Sequence, residues 1–200
     1  MKITATTVLM LHLGGLAFGE SEPSPIDHKI TVCVASTLTG LIAARAKVLA
    51  SKMFGGIGLS IDWQQASRSC PAQAILVSIS SSTPATLEPG AFAYASPYEG
   101  RHIKIFYDRI DNLFEGSMLE IVLAHVLVHE ITHILEGVKR HSEQGIMKAK
   151  WDSRDYFQMQ ERPLGFASED VQLIYLGLAA RQKRATLALN TEQHPATTGP

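Results

Sequence analysis

The sequence predicts a single domain of mixed α/β class, in which helices pack on a mainly parallel β-sheet. Strand-like and helix-like segments alternate through the first half of the chain, and residues 74–79 have the apolar pattern of a buried strand. A long apolar helix follows these segments. A chain of 200 residues is within the range of one domain that builds its own core.

The individual elements follow from hydrophobic periodicity. The predicted strands cover residues 29–34, 59–63, 74–79, 91–95 and 102–107. Residues 38–54 are predicted as a helix, because apolar residues recur there at helical spacing before two glycines. The strand–helix–strand order favours parallel pairing, and the fourth strand is predicted as an antiparallel edge. With the long apolar helix, two helices would cover this sheet, and a last helix over residues 164–181 would close a small lower half.

The long apolar helix carries the most informative residues of the chain, His129-Glu130-Ile131-Thr132-His133. Residues four apart lie on one face of a helix, so the two imidazoles can bind one cation while Glu130 reaches a water beside it. The H-E-x-x-H pattern is typical of a zinc site with two ligands, a general base and room for a third ligand. A core helix with hydrogen-bonded histidines and a partly exposed Glu130 is the alternative.

The residues after the motif suit a third metal ligand. Gly137 is the predicted end of the helix, and the basic residues after it suit the carboxyl end of the helix dipole. The chain can then turn and bring His141 towards the metal. A methionine, Met147, follows six residues later in a Gly-Ile-Met sequence.

This order of residues resembles the metzincin clan of zinc peptidases. The resemblance implies a zincin-like catalytic domain, with His129, His133 and His141 as ligands of one Zn2+. Glu130 would be the general base that activates a water at the metal, and Met147 the methionine of the turn beneath the ligands.

The loop before the third histidine departs from the usual metzincin spacing. Gly137 is four residues after His133, and His141 is four after Gly137, so the loop is two residues longer. The segment 141–151 also resembles that of a group of small secreted bacterial proteins with metzincin-like sites. This second resemblance extends over residues 88–180.

Other residues could complete the ligand set. In the gluzincin arrangement a glutamate on a later helix is the third ligand, and Glu161 or Glu169 could serve. Glu169 is equally explained by a place in the first turn of a helix after Ser168. His125 lies one turn before His129, and three ligands on one straight helix cannot surround a tetrahedral ion. His125 is therefore interpreted as a residue that packs beneath the ligands or supports them.

The resemblance also indicates where a substrate would lie. Metzincins hold the substrate backbone in an extended form against an edge strand, which corresponds here to residues 90–95. The candidate residues of this edge are Ala91, Phe92, Ala93 and Tyr94. A hairpin that only stabilises the sheet is the alternative. Tyr156, after the methionine turn, is a candidate hydrogen-bond donor to the oxyanion of the reaction.

The two ends of the chain differ from the domain between them. Residues 1–19 have the parts of a secretory signal peptide: a lysine, an apolar stretch too short to span a membrane, and small residues before Glu20. Residues 20–28 are a predicted loose leader, 29–188 the catalytic domain and 189–200 a disordered tail. Export would permit a disulfide between Cys33 and Cys70, although two buried free thiols would fit the same pattern.

A secreted zinc-dependent endopeptidase is therefore the predicted function, with peptides or proteins as substrates. The net charge of −1 does not suggest a nucleic-acid partner, and no membrane anchor is expected. Two other functions fit the same residues. One is a non-catalytic, zinc-stabilised protein that binds peptides, and the other is a zinc hydrolase of a non-protein amide such as a cell-wall peptide.

Overall fold

The computed structural model of the protein describes residues 28–36, 40–66, 70–87 and 89–193. The predicted signal peptide, the leader before His28 and residues 194–200 of the predicted tail lie outside them. The strands are β1 (His28–Ser36), β2 (Leu59–Gln65), β3 (Ile75–Ser80), β4 (Ala93–Ala95) and β5 (His102–Phe106). The helices are α1 (Leu41–Gly55), α2 (Tyr107–Asp111), α3 (Gly116–Glu136), α4 (Ser153–Glu161) and α5 (Ser168–Gln193).

The five strands form one sheet in the order β2-β1-β3-β5-β4. The pairs β1–β2, β1–β3 and β3–β5 are parallel, whereas β4 runs antiparallel to β5 at one end of the sheet. The mainly parallel sheet is thus confirmed. Parallel strands need a crossover between them, and α1 supplies the one from β1 to β2.

Helix α3 is the centre of the hydrophobic core, and every residue from Val122 to Glu136 is buried. Its length and apolar composition alone would suit a membrane span, but here it packs against α1, α5 and the β4–β5 hairpin. Gly137 ends the helix in the left-handed conformation (φ 71°), and its N–H donates to the carbonyl of His133. The predicted end of the site helix is therefore correct.

Contacts between distant residues hold the layers together. Cys33 in β1 forms a disulfide with Cys70, in the segment that leads to β3. Helices α3 and α5 approach so closely that a Cβ added at Gly177 would overlap the carbonyl oxygen of Leu135. Tyr175 of α5 donates a hydrogen bond of 2.6 Å to the carbonyl of Ile57, beyond α1. These contacts place α5 across the end of α3 that carries the histidines.

Several predicted boundaries were wrong. Helix α1 begins at Leu41, not at residue 38, after Gly40 with a positive φ of 107°. Strand β4 has only three residues, so Ala91 and Phe92 precede it, although the Phe92 carbonyl still accepts the Phe106 N–H at 2.7 Å. The fifth strand ends one residue early, because Tyr107 begins α2.

The last helix differs most from its prediction. Helix α5 begins at Ser168, not at residue 164. The carbonyl of Ala167 accepts the Val171 N–H, and the side chain of Asp170 accepts the Ala167 N–H, so the first turn of the helix starts after Ala167. The helix continues to Gln193, past the predicted helix end at residue 181. Helices α2 and α4 were not predicted. Helix α4 begins with a capping box in which Asp152 and Asp155 bond each other's backbone N–H groups.

Candidate metal site

Three histidines converge at the carboxyl end of α3. His129 and His133 lie one helical turn apart, with their Nε2 atoms 3.1 Å from each other. The loop after Gly137 brings the ring of His141 to 5.3 Å from the His129 ring and 5.0 Å from the His133 ring. One nitrogen from each residue lies within 4.8 Å of the other two. The structure thus brings together the three histidines that the sequence analysis selected.

The methionine turn orients the first of these histidines. The Nδ1–H of His129 donates to the carbonyl of Ile146 at 2.8 Å, so its Nε2 carries a free lone pair. The N–H of Ile146 in turn donates to Gly165 at 2.9 Å, and Ser142 donates its N–H to the Met147 carbonyl at 2.8 Å. The side chain of Met147 is fully buried. The turn therefore orients His129 through a backbone carbonyl, not through the side chain of the methionine.

A glycine permits the methionine turn to pack against the backbone at Gly165. Gly145 has a positive φ of 75°, and a Cβ there would overlap the carbonyl oxygen of Gly165. This is the same carbonyl that accepts the Ile146 N–H. Because glycine adopts positive φ at little cost, it suits this position for two independent reasons.

Burial keeps the histidines neutral. It lowers the pKa of His129 to about 4 and that of His133 to about 3, with a further contribution at His133 from the neighbouring histidines. The pKa of His141 is also lowered, by burial and by the nearby charges of Lys139 and Arg140. A metal binds the unprotonated imidazole, so all three side chains are in the correct state at neutral pH.

The dimensions of the site fit a zinc ion. Tetrahedral zinc with Zn–N bonds of about 2.05 Å places its ligand nitrogens about 3.3 Å apart. The two helix histidines have their Nε2 atoms at 3.1 Å, close to that value. The third nitrogen is within 4.8 Å, so a small movement of the exposed His141 ring would complete the triangle. Three neutral nitrogens are also the donor type that zinc prefers.

Glu130 directly follows His129 on α3 and is buried. Burial raises the pKa of its carboxyl to about 8, while the charge of Lys139 opposes this shift. A cation held by the neighbouring histidines would lower that pKa, because it favours the charged carboxylate. The carboxyl group therefore has a high proton affinity without an ion and a lower one with it.

The other residues considered as ligands lie elsewhere. Glu161 is exposed at the end of α4, and Glu169 pairs with Arg140 at 2.8 Å with its side chain 68% exposed. His125 is fully buried, donates from Nδ1 to the carbonyl of Ile121 at 2.7 Å and accepts the Leu164 N–H at 3.1 Å. In the described part of the chain, the group that could hold this ion consists of the three histidines.

Trp151 is a neighbour of the site that the sequence analysis gave no role. Its ring is edge-on to His129 and His125, at centroid distances of 5.7 and 6.1 Å. Its Nε1–H donates to the Ile146 carbonyl at 3.3 Å, which is the acceptor that His129 also uses. A tryptophan four residues after Met147 carries no local signal for its contacts with the two histidines, since these lie on α3.

Aromatic rings line the region between the edge strand and α4. The ring of Phe114 lies 6.1 Å from Phe92 and 5.1 Å from Tyr156. Tyr156 is partly buried, which raises its pKa. Tyr94 of β4 is 46% exposed and contacts Phe106. The substrate role of Ala91 to Tyr94 and the oxyanion role of Tyr156 stay predictions.

Comparisons with known proteins agree with this picture at the level of the fold. No protein-family model matches the chain, and no curated protein does. Among solved structures, archaemetzincin from Methanopyrus kandleri matches 76% of this chain and 96% of its own, with a TM-score of 0.50 and 16% identity. Myroilysin matches 75% of this chain and 66% of its own, with a TM-score of 0.36 and 16% identity. The chain therefore shares the fold of archaemetzincin, as the resemblance in its sequence implied.

Proposed function

We propose that this protein is a secreted zinc-dependent endopeptidase that hydrolyses peptide bonds in peptides or proteins. The observation that carries the proposal is the convergence of three neutral histidine nitrogens within 4.8 Å of one another, two of them on the helix that also carries the buried Glu130. A site that only stabilised the fold would need no carboxyl group beside the ligands. The shared fold with archaemetzincin supports the same interpretation.

His129, His133 and His141 would hold the ion. Zinc bound there would supply a Lewis acid that polarises the scissile carbonyl and makes a water more acidic. The Ile146 carbonyl keeps the proton of His129 on Nδ1, so its Nε2 lone pair would be free to bind the ion. Of the three ligands, two come from a buried helix and are rigid, whereas His141 comes from a loop.

Glu130 would transfer the proton of the reaction. Its carboxylate would accept a proton from the attacking water and deliver that proton to the amine nitrogen that leaves. Burial supports this role, because a carboxylate without full hydration is a stronger base than an exposed one. Because Glu130 directly follows His129 on the helix, it would be close to a water or substrate bound to the ion.

The substrate would lie along β4. This strand pairs with β5 on one side only and ends the order of the described strands, so its other side can accept an extended peptide. We assign Ala91, Phe92, Ala93 and Tyr94 to this contact. Helix α3 packs against β4, which connects the edge to the helix that carries the histidines.

Secretion is supported by two features of different kinds. The first 19 residues have the composition of a signal peptide. The disulfide between Cys33 and Cys70 is a bond that persists in oxidising compartments. We therefore propose that the enzyme acts outside the cytoplasm.

A mixed-sequence quenched peptide library tests the activity. The purified protein with zinc should cleave the library, and both a chelated sample and the variant Glu130→Gln should lose cleavage. Glu130→Gln should retain one zinc per chain, because it removes no ligand. The matched control is Glu120→Gln on the same helix, where Glu120 pairs with Arg45 at 3.2 Å.

The outcomes separate the three functions. Full activity of Glu130→Gln would refute the assignment of the base. Zinc binding without cleavage of any peptide would contradict the endopeptidase. The same protein would then be tested on cell-wall peptides and, if these remain intact, for peptide binding without hydrolysis.

A further inference from the structure

The loop that carries His141 is tied to the start of α5 by one buried carboxylate. Asp170 has no exposed surface. Its Oδ1 accepts a hydrogen bond of 2.7 Å from Nη1 of Arg140 and one of 2.5 Å from the hydroxyl of Ser142. The two donors are the residues directly before and after His141. The backbone of this ligand is therefore held from both sides.

The carboxylate itself is held rigidly. Its second oxygen, Oδ2, accepts the backbone N–H of Ala167 at 3.0 Å, just before the first turn of α5. Helix α5 in turn touches α3 at Gly177, where there is no room for a side chain. The chain of contacts thus runs from the helix of His129 and His133, through α5 and Asp170, to the loop of His141.

His141 needs such support more than the other two histidines. His129 and His133 lie on a buried helix, and the backbone geometry of that helix sets their separation. His141 lies four residues beyond the helix end at Gly137, in a loop without regular structure, and its ring is exposed. Its ring position depends on where the loop backbone runs.

We infer that Asp170 is a positioning residue that holds His141 within reach of the metal through Arg140 and Ser142. This inference rests on the proposed function only in that the three histidines bind an ion. Asp170 does not touch the ion or a substrate. By restricting the conformations of the loop, it lowers the conformational entropy that His141 loses when it binds the ion.

Two other carboxylates near Arg140 do not have the same geometry. Glu169 contacts Nη2 of Arg140 at 2.8 Å, but its side chain is 68% exposed and it makes no contact with Ser142 in the structure. Glu136 lies 3.7 Å from Nη1 of Arg140 and is on α3 itself. Only Asp170 bonds the residues on both sides of His141, among the described residues.

Zinc affinity measured against a competing chelating dye tests this inference. Asp170→Asn should bind zinc about 10- to 100-fold more weakly than the unmodified protein, the range found for residues that orient ligands. Ser142→Ala should lose less, because Arg140 keeps its bond. Glu169→Gln is the matched control, since it removes a charge from the same guanidinium at an exposed site, and its affinity should stay within about twofold.

A double-mutant cycle separates positioning from general stability. If Asp170 acts through His141, Asp170→Asn should have no further effect on zinc affinity in a His141→Ala background. The visible spectrum of the Co2+ form gives a second readout, because its intensity follows the coordination geometry. Asp170→Asn should change this spectrum, and Glu169→Gln should not.

The results have clear consequences. Unchanged zinc affinity in Asp170→Asn would overturn the inference, and so would an equal loss with and without His141. If Asp170→Asn does not fold, the same cycle with Ser142→Ala decides the question. A protein that binds zinc but cleaves no peptide would refute the endopeptidase and leave this test valid. A protein that binds no zinc would overturn both.

Discussion

Moderate acid should destabilise this protein through His125. The N–H of Leu164 can only donate, so Nε2 of His125 must be the unprotonated nitrogen and Nδ1–H donates to the Ile121 carbonyl. Protonation of Nε2 would remove the acceptor and break the bond to Leu164. It would also place a charge at a fully buried position. For this reason burial lowers the pKa of His125 to about 4.

The size of the effect follows from the pKa in the two states. An unfolded histidine has a pKa of about 6.5, so between pH 6.5 and 4 the unfolded chain binds a proton that the native protein does not. The contribution of neutral His125 is complete above this range and is lost as the pH falls. The loss in unfolding free energy is about 2 kcal/mol at pH 5 and about 3 kcal/mol at pH 4.

Urea unfolding of the metal-free protein at pH 7 and pH 5 measures this loss in unfolding free energy. We compare the unmodified protein with His125→Gln, whose side chain does not titrate. The variant should be less stable at pH 7 by about 1–2 kcal/mol, because a buried hydrogen bond is disturbed. Its further loss between pH 7 and 5 should be about 2 kcal/mol smaller than that of the unmodified protein. Equal losses in both proteins would refute the reasoning.

Three further perturbations have defined outcomes. His141→Ala should weaken zinc binding at least about 10-fold, measured by dye competition, and full affinity would assign the third ligand to another residue. Gly177→Ala should lower the unfolding free energy by about 1–3 kcal/mol, because its methyl group would overlap a backbone carbonyl of α3. Gly165→Ala, with open space around it, is the control, and an equal loss in both would contradict the close contact. Replacing Cys33 and Cys70 by serine should cost about 3–4 kcal/mol, given their separation of 37 residues; unchanged urea unfolding would contradict this.

The helix of the site illustrates what local patterns can predict. The spacing of His129 and His133 follows from the helical repeat. The end of the helix at Gly137 was predictable because glycine readily adopts the left-handed conformation that ends a helix. Both depend on residues within a few positions of each other. The same holds for the parallel strands, whose apolar patterns are local. These parts of the prediction were therefore correct.

Elements whose limits depend on remote partners were predicted less well. The predicted start of the last helix, residue 164, lies before its observed start at Ser168, and the N–H of Leu164 bonds the imidazole of His125, 39 residues earlier. The fourth strand is short because its partner β5 gives way to α2 at Tyr107. No local pattern near residue 91 contains this information, whereas Ser168 and the acidic residues after it did indicate the helix start that the structure has.

The sequence by itself determined the two helix histidines, the glutamate beside them, the class of the sheet and a short set of possible third ligands. Only the tertiary structure showed that, of this set, His141 lies beside the two helix histidines and the glutamates lie elsewhere. It alone also revealed that Asp170, 29 residues after His141, bonds the residues on both sides of that histidine. The physical reason is that a helical repeat is set by neighbouring residues, whereas the path of a loop is set by whichever distant groups bond it.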